Sequence, residues 1–321
     1  MIVVTGAAGF IGSCLVKKLN DEGHKNLVLV DQFNRSDRAR NLHNKGYIAQ
    51  VDRNELFQWL DRFGDAVSFV YHIGARTDTT EKSKEIFDDL NLNYSKKLWS
   101  FCSERNIPFM YASSAATYGL GELGYVDSHD IVKDLKPLNP YGDSKNDFDK
   151  WLLDQDPNKN YWAGFKFFNV YGPNEFHKGR MASVIFHTFN QINKTGGMKL
   201  FRSHKVGIAD GQQKRDFIYV KDLVDVLYFF FEEKRTSGIY NLGTGNARSF
   251  YDLAALTFLS MGKEVAISFM DTPEDIRDTY QYFTEADMSK LRSAGYEKPF
   301  TSLEDGVADY VTSHLAPNDT W

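Results

Sequence analysis

Two cysteines stand in 321 residues, Cys14 and Cys102, and each lies inside a helical apolar pattern without the paired spacing that a zinc or redox motif needs. Both read as buried thiols, and a disulfide scaffold is excluded. No apolar run approaches the length of a membrane span, and Met1 leads straight into a strand with no basic and apolar leader before it, so the cytoplasm is the expected compartment. Charge of one sign is nowhere concentrated: the net charge is −5, and no block of like charges is long enough to be a tail. That balance argues against a nucleic-acid or membrane-surface protein, so an anionic ligand must be held by local cations. No internal repeat, low-complexity tract or proline-rich linker interrupts the chain. With 42% apolar and 25% charged residues, the chain is globular and long enough for one large domain or two smaller ones.

What is present is organised around Thr5-Gly6-Ala7-Ala8-Gly9-Phe10-Ile11-Gly12, between the apolar run Ile2-Val3-Val4 and the periodic stretch from Cys14 to Leu19. That is strand, tight turn, helix. Gly6 permits the turn, Gly9 lets backbone N–H groups approach a pyrophosphate, and Gly12 lets the helix lie close on the strand. A diphosphate would sit at the positive end of that helix. A second apolar run, Leu27 to Val30, ends in Asp31, nineteen residues after Gly12, the spacing at which an acid meets the adenine ribose. The loop therefore reads as a dinucleotide site. Arg35, Arg38 and Arg40 in the polar stretch that follows could pair with a 2′-phosphate, so Asp31 argues for NAD and the arginines for NADP.

Further along, a strand over 47–51 and a helix over 53–63 precede the strand Ser68 to His72, which runs into Ile73-Gly74-Ala75-Arg76-Thr77. This small-residue turn is where cofactor contacts are expected, and His72 reads as a core histidine. A long helix over 83–105 leads to the strand over 109–112, the turn from Ser113 to Gly119, and irregular chain over 120–139. A helix over 141–153 and a strand over 163–168 follow. Repeated strand and helix give a doubly wound parallel α/β sheet. Asn169 to Pro173 breaks the pattern, and the main boundary is placed there. Helices over 181–193, 250–261, 285–293 and 302–314, strands over 199–201, 215–220, 238–243 and 264–269, and a helix with the apolar run Tyr228 to Phe231 between the strands 215–220 and 238–243 complete the chain. The expected division is a dinucleotide-binding Rossmann domain of 1–168 and 217–247, with a smaller interwoven α/β substrate-binding lobe of 169–216 and 248–321.

Of seventeen tyrosines, only Tyr141 has a lysine four residues later, Lys145, on the same helix face. The pair opens the helix after the strand and turn bearing Ser113 and Ser114, at the sheet edge where a nicotinamide should lie. A phenol is a poor base at neutral pH unless its anion is stabilised, which a neighbouring ammonium and an oxidised nicotinamide would do. Ser114 would hydrogen-bond the reacting oxygen.

Taken together, Thr5 to Gly12, Ser114, and Tyr141 with Lys145 resemble the extended short-chain dehydrogenase/reductase family. Pro140-Tyr141-Gly142, Asn169 to Pro173, Arg215 to Val220 and Tyr240 to Gly245 are similar to that family's sugar-nucleotide enzymes. Narrower segments, Tyr111 to Gly119, His177 to Val184 and Tyr280 to Asp287, resemble its ADP-glycero-manno-heptose 6-epimerases. The family's dehydratases carry an Asp-Glu pair where Ala115 and Ala116 stand here, so elimination is disfavoured. The resemblance implies inversion of carbon six by transient oxidation to a ketone and re-reduction on a bound NADP, for lipopolysaccharide inner-core heptose supply. It makes Lys178 a second acid/base facing the substrate from the side opposite Tyr141. It assigns cofactor contacts to Gly6, Gly9, Phe10, Ile11, Gly12, Asp31, Gln32, Arg38, Arg53, Ile73, Gly74, Ala75, Arg76, Thr77, Asn91, Lys145, Val170 and Lys178. It assigns the nucleotide sugar to Asn169, Arg180, His187, Phe201, Arg202, Ser203, His204, Arg215 and Tyr280. No metal is implied, and a homo-oligomer is, with pentamers among the family's forms. The alternatives are another nucleotide-sugar epimerase or reductase of that superfamily, such as a UDP-hexose 4-epimerase, and a non-catalytic dinucleotide sensor.

Overall fold

Short runs of consecutive apolar residues fold as parallel strands because helices cover both faces of the sheet they form. The computed structural model describes residues 1–156, 159–277 and 280–321. Its strands are β1 (Ile2–Thr5), β2 (Leu27–Asp31), β3 (Ala49–Asp52), β4 (Phe69–His72), β5 (Phe109–Ser114), β6 (Trp162–Phe167), β7 (Asn169–Tyr171), β8 (Met198–Phe201), β9 (Lys214–Tyr219), β10 (Gly238–Leu242), β11 (Ala247–Ser249) and β12 (Ile267–Met270). Seven of them form one parallel sheet in the order β10-β6-β5-β4-β1-β2-β3. Alternation along β1 decides which layer each side chain enters. Ile2 and Val4 pack with Leu15, Leu223 and Phe230 on one face, and Val3 packs with Val28, Leu98 and Phe148 on the other. The strand order reverses between β1 and β4, so the loops after these two strands diverge and open a crevice at the carboxyl edge.

Two smaller sheets complete the molecule. β7 pairs with β9 in parallel and β11 with β9 antiparallel, and β8 pairs with β12 in parallel. The break expected at Asn169–Pro173 is therefore a three-residue strand leading into the second sheet, too short to show periodicity. The expected helix over 285–293 shrinks to Ser289–Ser293. Its first turn is held elsewhere, since the Thr284 amide donates to the Lys214 carbonyl and the Ala286 amide to Asp216. The helix expected over 181–193 is Val184–Thr195, starting where the Ser183 hydroxyl accepts from the Phe186 amide. The long helix over 83–105 is interrupted by a wide π turn, Asp88–Asn93. Among the described residues, no helix is long and apolar enough to cross a membrane.

Candidate active site

The crevice holds a cavity of about 440 Å³ lined by the glycine loop, Asp31, the turn after β4 and the segment bearing Lys178. Gly6 has φ of +68°, a conformation that a side chain resists. A Cβ on Gly12 would run into the Gly6 carbonyl, so the helix Phe10–Asp21 sits against the turn only because Gly12 has none. The cavity wall thus consists of backbone and the first turn of a helix, which suits a diphosphate.

Asp31 is buried at the end of β2, where its carboxylate accepts from the Ala8 amide at 3.0 Å and the Gln32 amide at 2.8 Å. Arg38 donates to the same group at 3.2 Å. The Nε atoms of Arg38 and Arg53 are both buried with no hydrogen-bond partner among the described residues. Burial draws the Arg38 guanidinium down from its ordinary value, and Asp31 opposes that. Such unpaired donors at the ribose end of the cavity fit an anionic group there. Asn91, expected to touch the cofactor, turns its amide to Arg76 and Ser144, holding the turn after β4 in place.

Ser114 closes β5, and Tyr141 enters the helix Pro140–Leu153, which Asn139 caps and Pro140 starts. Burial raises the Tyr141 phenol above its ordinary value, and a hydrogen bond with the Ser114 hydroxyl draws it part of the way back. One turn on, Lys145 is buried, its ammonium donating to the Ala112 carbonyl at 2.7 Å. Desolvation lowers Lys145 to about 8. Lys178 lies in a 3₁₀ segment, Phe176–Met181, and its ammonium sits 5.1 Å over the ring of Phe10 in the glycine loop. Burial lowers this ammonium too, and the buried Glu175 raises it. Glu175 also fixes the segment by accepting from the Ser183 amide and hydroxyl, both at 2.6 Å.

A second cluster forms across β8, β9 and the 280s. Arg215 lies 5.5 Å from the ring centroids of both Phe250 and Tyr280, and Tyr280 meets Phe201 edge to face. The Ser203 amide donates to Asp210, and the His204 amide to the Tyr282 hydroxyl. Gln281 reaches the Gly119 carbonyl, so this cluster packs against the turn after Ser114. Arg180 instead stands at the mouth of the dinucleotide-type cavity, 3.4 Å from Asp78, with His187 on its carbonyl. Asn169 is exposed, and Val170 pairs with Ile218 in the second sheet.

A buried support that no motif marks lies beneath Ser114. Asp149 accepts from Tyr111 at 2.8 Å, Ser113 at 2.7 Å and Lys166 at 2.6 Å, and Lys166 also reaches Thr117 at 2.7 Å. Thr117 in turn holds the Ser114 carbonyl at 2.8 Å. The only sequence signal was a lysine inside the apolar run of β6. Asp149→Asn leaves that ammonium buried without its counter-ion and should cost about 3 to 5 kcal/mol of stability by denaturant unfolding. No group of three or more His, Cys, Asp or Glu side chains that could hold a metal occurs among the described residues.

Comparison with known proteins decides the family. Residues 2–243 match the model of the NAD dependent epimerase/dehydratase family. The chain belongs to that family. Relatives named ADP-L-glycero-D-manno-heptose-6-epimerase include one from Fusobacterium nucleatum, 48% identical over all of both chains. Another, from Nitratidesulfovibrio vulgaris, is 46% identical over 99% of each. The crystal structure of the Helicobacter pylori ADP-L-glycero-D-manno-heptose-6-epimerase superposes with a TM-score of 0.81 at 27% identity, covering 98% of this chain and 96% of that one. MoeE5 in complex with UDP-glucuronic acid and NAD gives 0.79 at 25% identity, covering 98% and 99%. The family is enzymatic, and its fold is the doubly wound sheet expected from the sequence. Membership supports a nicotinamide dinucleotide as the cofactor class.

Proposed function

We propose that the protein is an isomerase that inverts carbon six of ADP-glycero-manno-heptose, supplying heptose for the lipopolysaccharide inner core. One observation carries the reading: the Lys178 ammonium lies over Phe10 and lines the same cavity as the glycine loop and the turn after β4. The full-length likeness to heptose epimerases supports it. On this reading residues 1–168 and 217–247 hold the dinucleotide, and 169–216 with 248–321 hold the nucleotide sugar.

A bound nicotinamide dinucleotide supplies reversible hydride exchange. The chain's own residues handle everything else. Gly6, Gly9 and Gly12 would admit the pyrophosphate, and Asp31, Arg38 and Arg53 would hold the adenine ribose. Tyr141 and Lys178 each take and return the hydroxyl proton for one orientation of the reacting oxygen, because inversion presents that oxygen on two sides. Ser114 holds the oxygen, and the Lys145 ammonium favours the Tyr141 phenolate. Arg215 would pair with the diphosphate of the sugar through the guanidinium donors left beyond those given to the Lys214 and Gln281 carbonyls. Incubating purified protein with either heptose epimer and following carbon six by NMR tests the activity. Approach to a common mixture from both sides is expected, and no inversion with cofactor bound would favour a sensor.

NADP is the form we propose. Arg38 already offsets the Asp31 charge, and both arginines keep an unpaired donor. Replacing both Arg38 and Arg53 with Ala should weaken NADPH binding about 10- to 100-fold, the worth of one or two charge-assisted hydrogen bonds. NADH binding should change far less, as fluorescence titration would show. Equal losses for both nucleotides would reassign the arginines.

A further inference from the structure

Between the glycine loop and the first turn of the helix Pro140–Leu153 runs an unbroken line of hydrogen bonds, buried along its middle and part-buried at its ends, with His72 at its centre. The Gly74 amide donates to Thr5 Oγ1 at 3.1 Å, and Thr5 Oγ1 lies 2.8 Å from His72 Nδ1. Across the ring, His72 Nε2 lies 2.8 Å from Ser95 Oγ, and the Ser95 hydroxyl donates to the Asn91 carbonyl. The Asn91 amide donates to Ser144 Oγ at 3.0 Å, and the Ser144 hydroxyl donates to the Tyr141 carbonyl at 2.8 Å. Asn91 lies within the π turn Asp88–Asn93 and is buried there.

The direction of each bond follows from counting protons. Ser95 has one hydroxyl proton, spent on the Asn91 carbonyl, so toward His72 it can only accept. His72 must then carry its proton on Nε2, which leaves Nδ1 bare to accept from the Thr5 hydroxyl. Thr5 in turn keeps a lone pair for the Gly74 amide. The ring is 2% exposed and stacked between Tyr94 and Phe109, at 5.8 and 6.0 Å, so its plane is fixed. Burial, with the Lys145 charge acting the same way, lowers His72 to about 3. Neutral at working pH, it makes a one-way connection.

We infer that His72 is a positioning residue whose Nε2–H tautomer ties the dinucleotide cradle at Thr5 and Gly74 to the turn that presents Tyr141. This rests on the reading of Tyr141 as an acid/base in the proposed reaction. Without His72 the cradle and the phenol would each settle independently, and the bound nicotinamide would lose its register to the proton carrier.

Two variants cut the line at different points. In His72→Asn the amide oxygen replaces Nδ1 and still accepts from Thr5, but Ser95 loses its donor. In His72→Gln the amide nitrogen still reaches Ser95, but the Thr5 hydroxyl loses its acceptor. His72→Gln should weaken NADPH binding about tenfold more than His72→Asn does, and His72→Asn should lower kcat at saturating NADPH about tenfold more than His72→Gln. Losses of affinity and kcat in the same proportion in both variants would mean a packing role only and overturn the inference. Should either variant fail to fold, ¹⁵N-histidine NMR of the wild-type holoenzyme decides. A His72 ring protonated on Nε2 alone from about pH 6 to pH 9 is expected, and an Nδ1–H ring would overturn the inference. Wild-type inversion is measured alongside. Its absence would sink the proposed reaction, while affinity and tautomer would still judge His72.

Discussion

Lys178→Met should lower kcat for heptose inversion by about 100- to 10,000-fold, the range over which a positioned acid or base acts. The protein should stay folded, because methionine keeps the length and the apolar stem over Phe10 while removing an ammonium that burial already disfavours. A melt by circular dichroism and turnover by NMR together check this. Tyr141→Phe should fall in the same range, and the double variant should lose little more than either alone if the two act on one reaction coordinate. Retention of most turnover in Lys178→Met would point instead to an epimerase that relies on Tyr141 alone, such as a hexose 4-epimerase.

Gly12→Ala should abolish tight dinucleotide binding, weakening it at least about 100-fold, which corresponds to about 2.7 kcal/mol. The added Cβ meets backbone, the carbonyl of Gly6, so no side chain can swing aside to relieve it. Relief requires the helix Phe10–Asp21 to move off the turn, which withdraws the N–H groups from the pyrophosphate. Gly23 supplies the control. Its φ is +89° but nothing lies within 4 Å of a Cβ there, so Gly23→Asn should leave binding unchanged. Equal losses in the two variants, read by fluorescence titration, would mean that close packing of helix on strand is not what builds the cradle.

How much of this was legible beforehand depends on how local the physics is. The sheet was readable because each strand is a short apolar run and each turn carries its own glycine or polar signal. Thr5 to Gly12 and Tyr141 with Lys145 were readable because their spacing along the chain is their geometry. His72 was not. Its meaning lies in Thr5, 67 residues away, and Ser95, 23 residues away, and a lone histidine in an apolar strand looks the same whether it packs or connects. The Asp149–Lys166 pair was hidden for the same reason, since neither partner belongs to a motif. The π turn Asp88–Asn93 could not be seen, because one widened turn barely disturbs a helical period. β7 and β11, three residues each, exist only through their pairing with β9. The resemblance implies sugar contacts for Arg180 and His187, and spacing along the chain says nothing of where either lies. The structure sets Arg180 on the dinucleotide-type cavity beside Asp78 and sets His187 against the Arg180 carbonyl.

At the centre of the account is the idea that the hydrogen on carbon six departs and returns as hydride without ever meeting solvent, while Tyr141 and Lys178 exchange only the hydroxyl proton. Running the inversion in deuterium oxide and examining carbon six of the product by NMR tests this directly. Inverted product with no deuterium on that carbon is expected. One deuterium incorporated per turnover would show removal as a proton, and the redox inversion proposed for this site would be wrong.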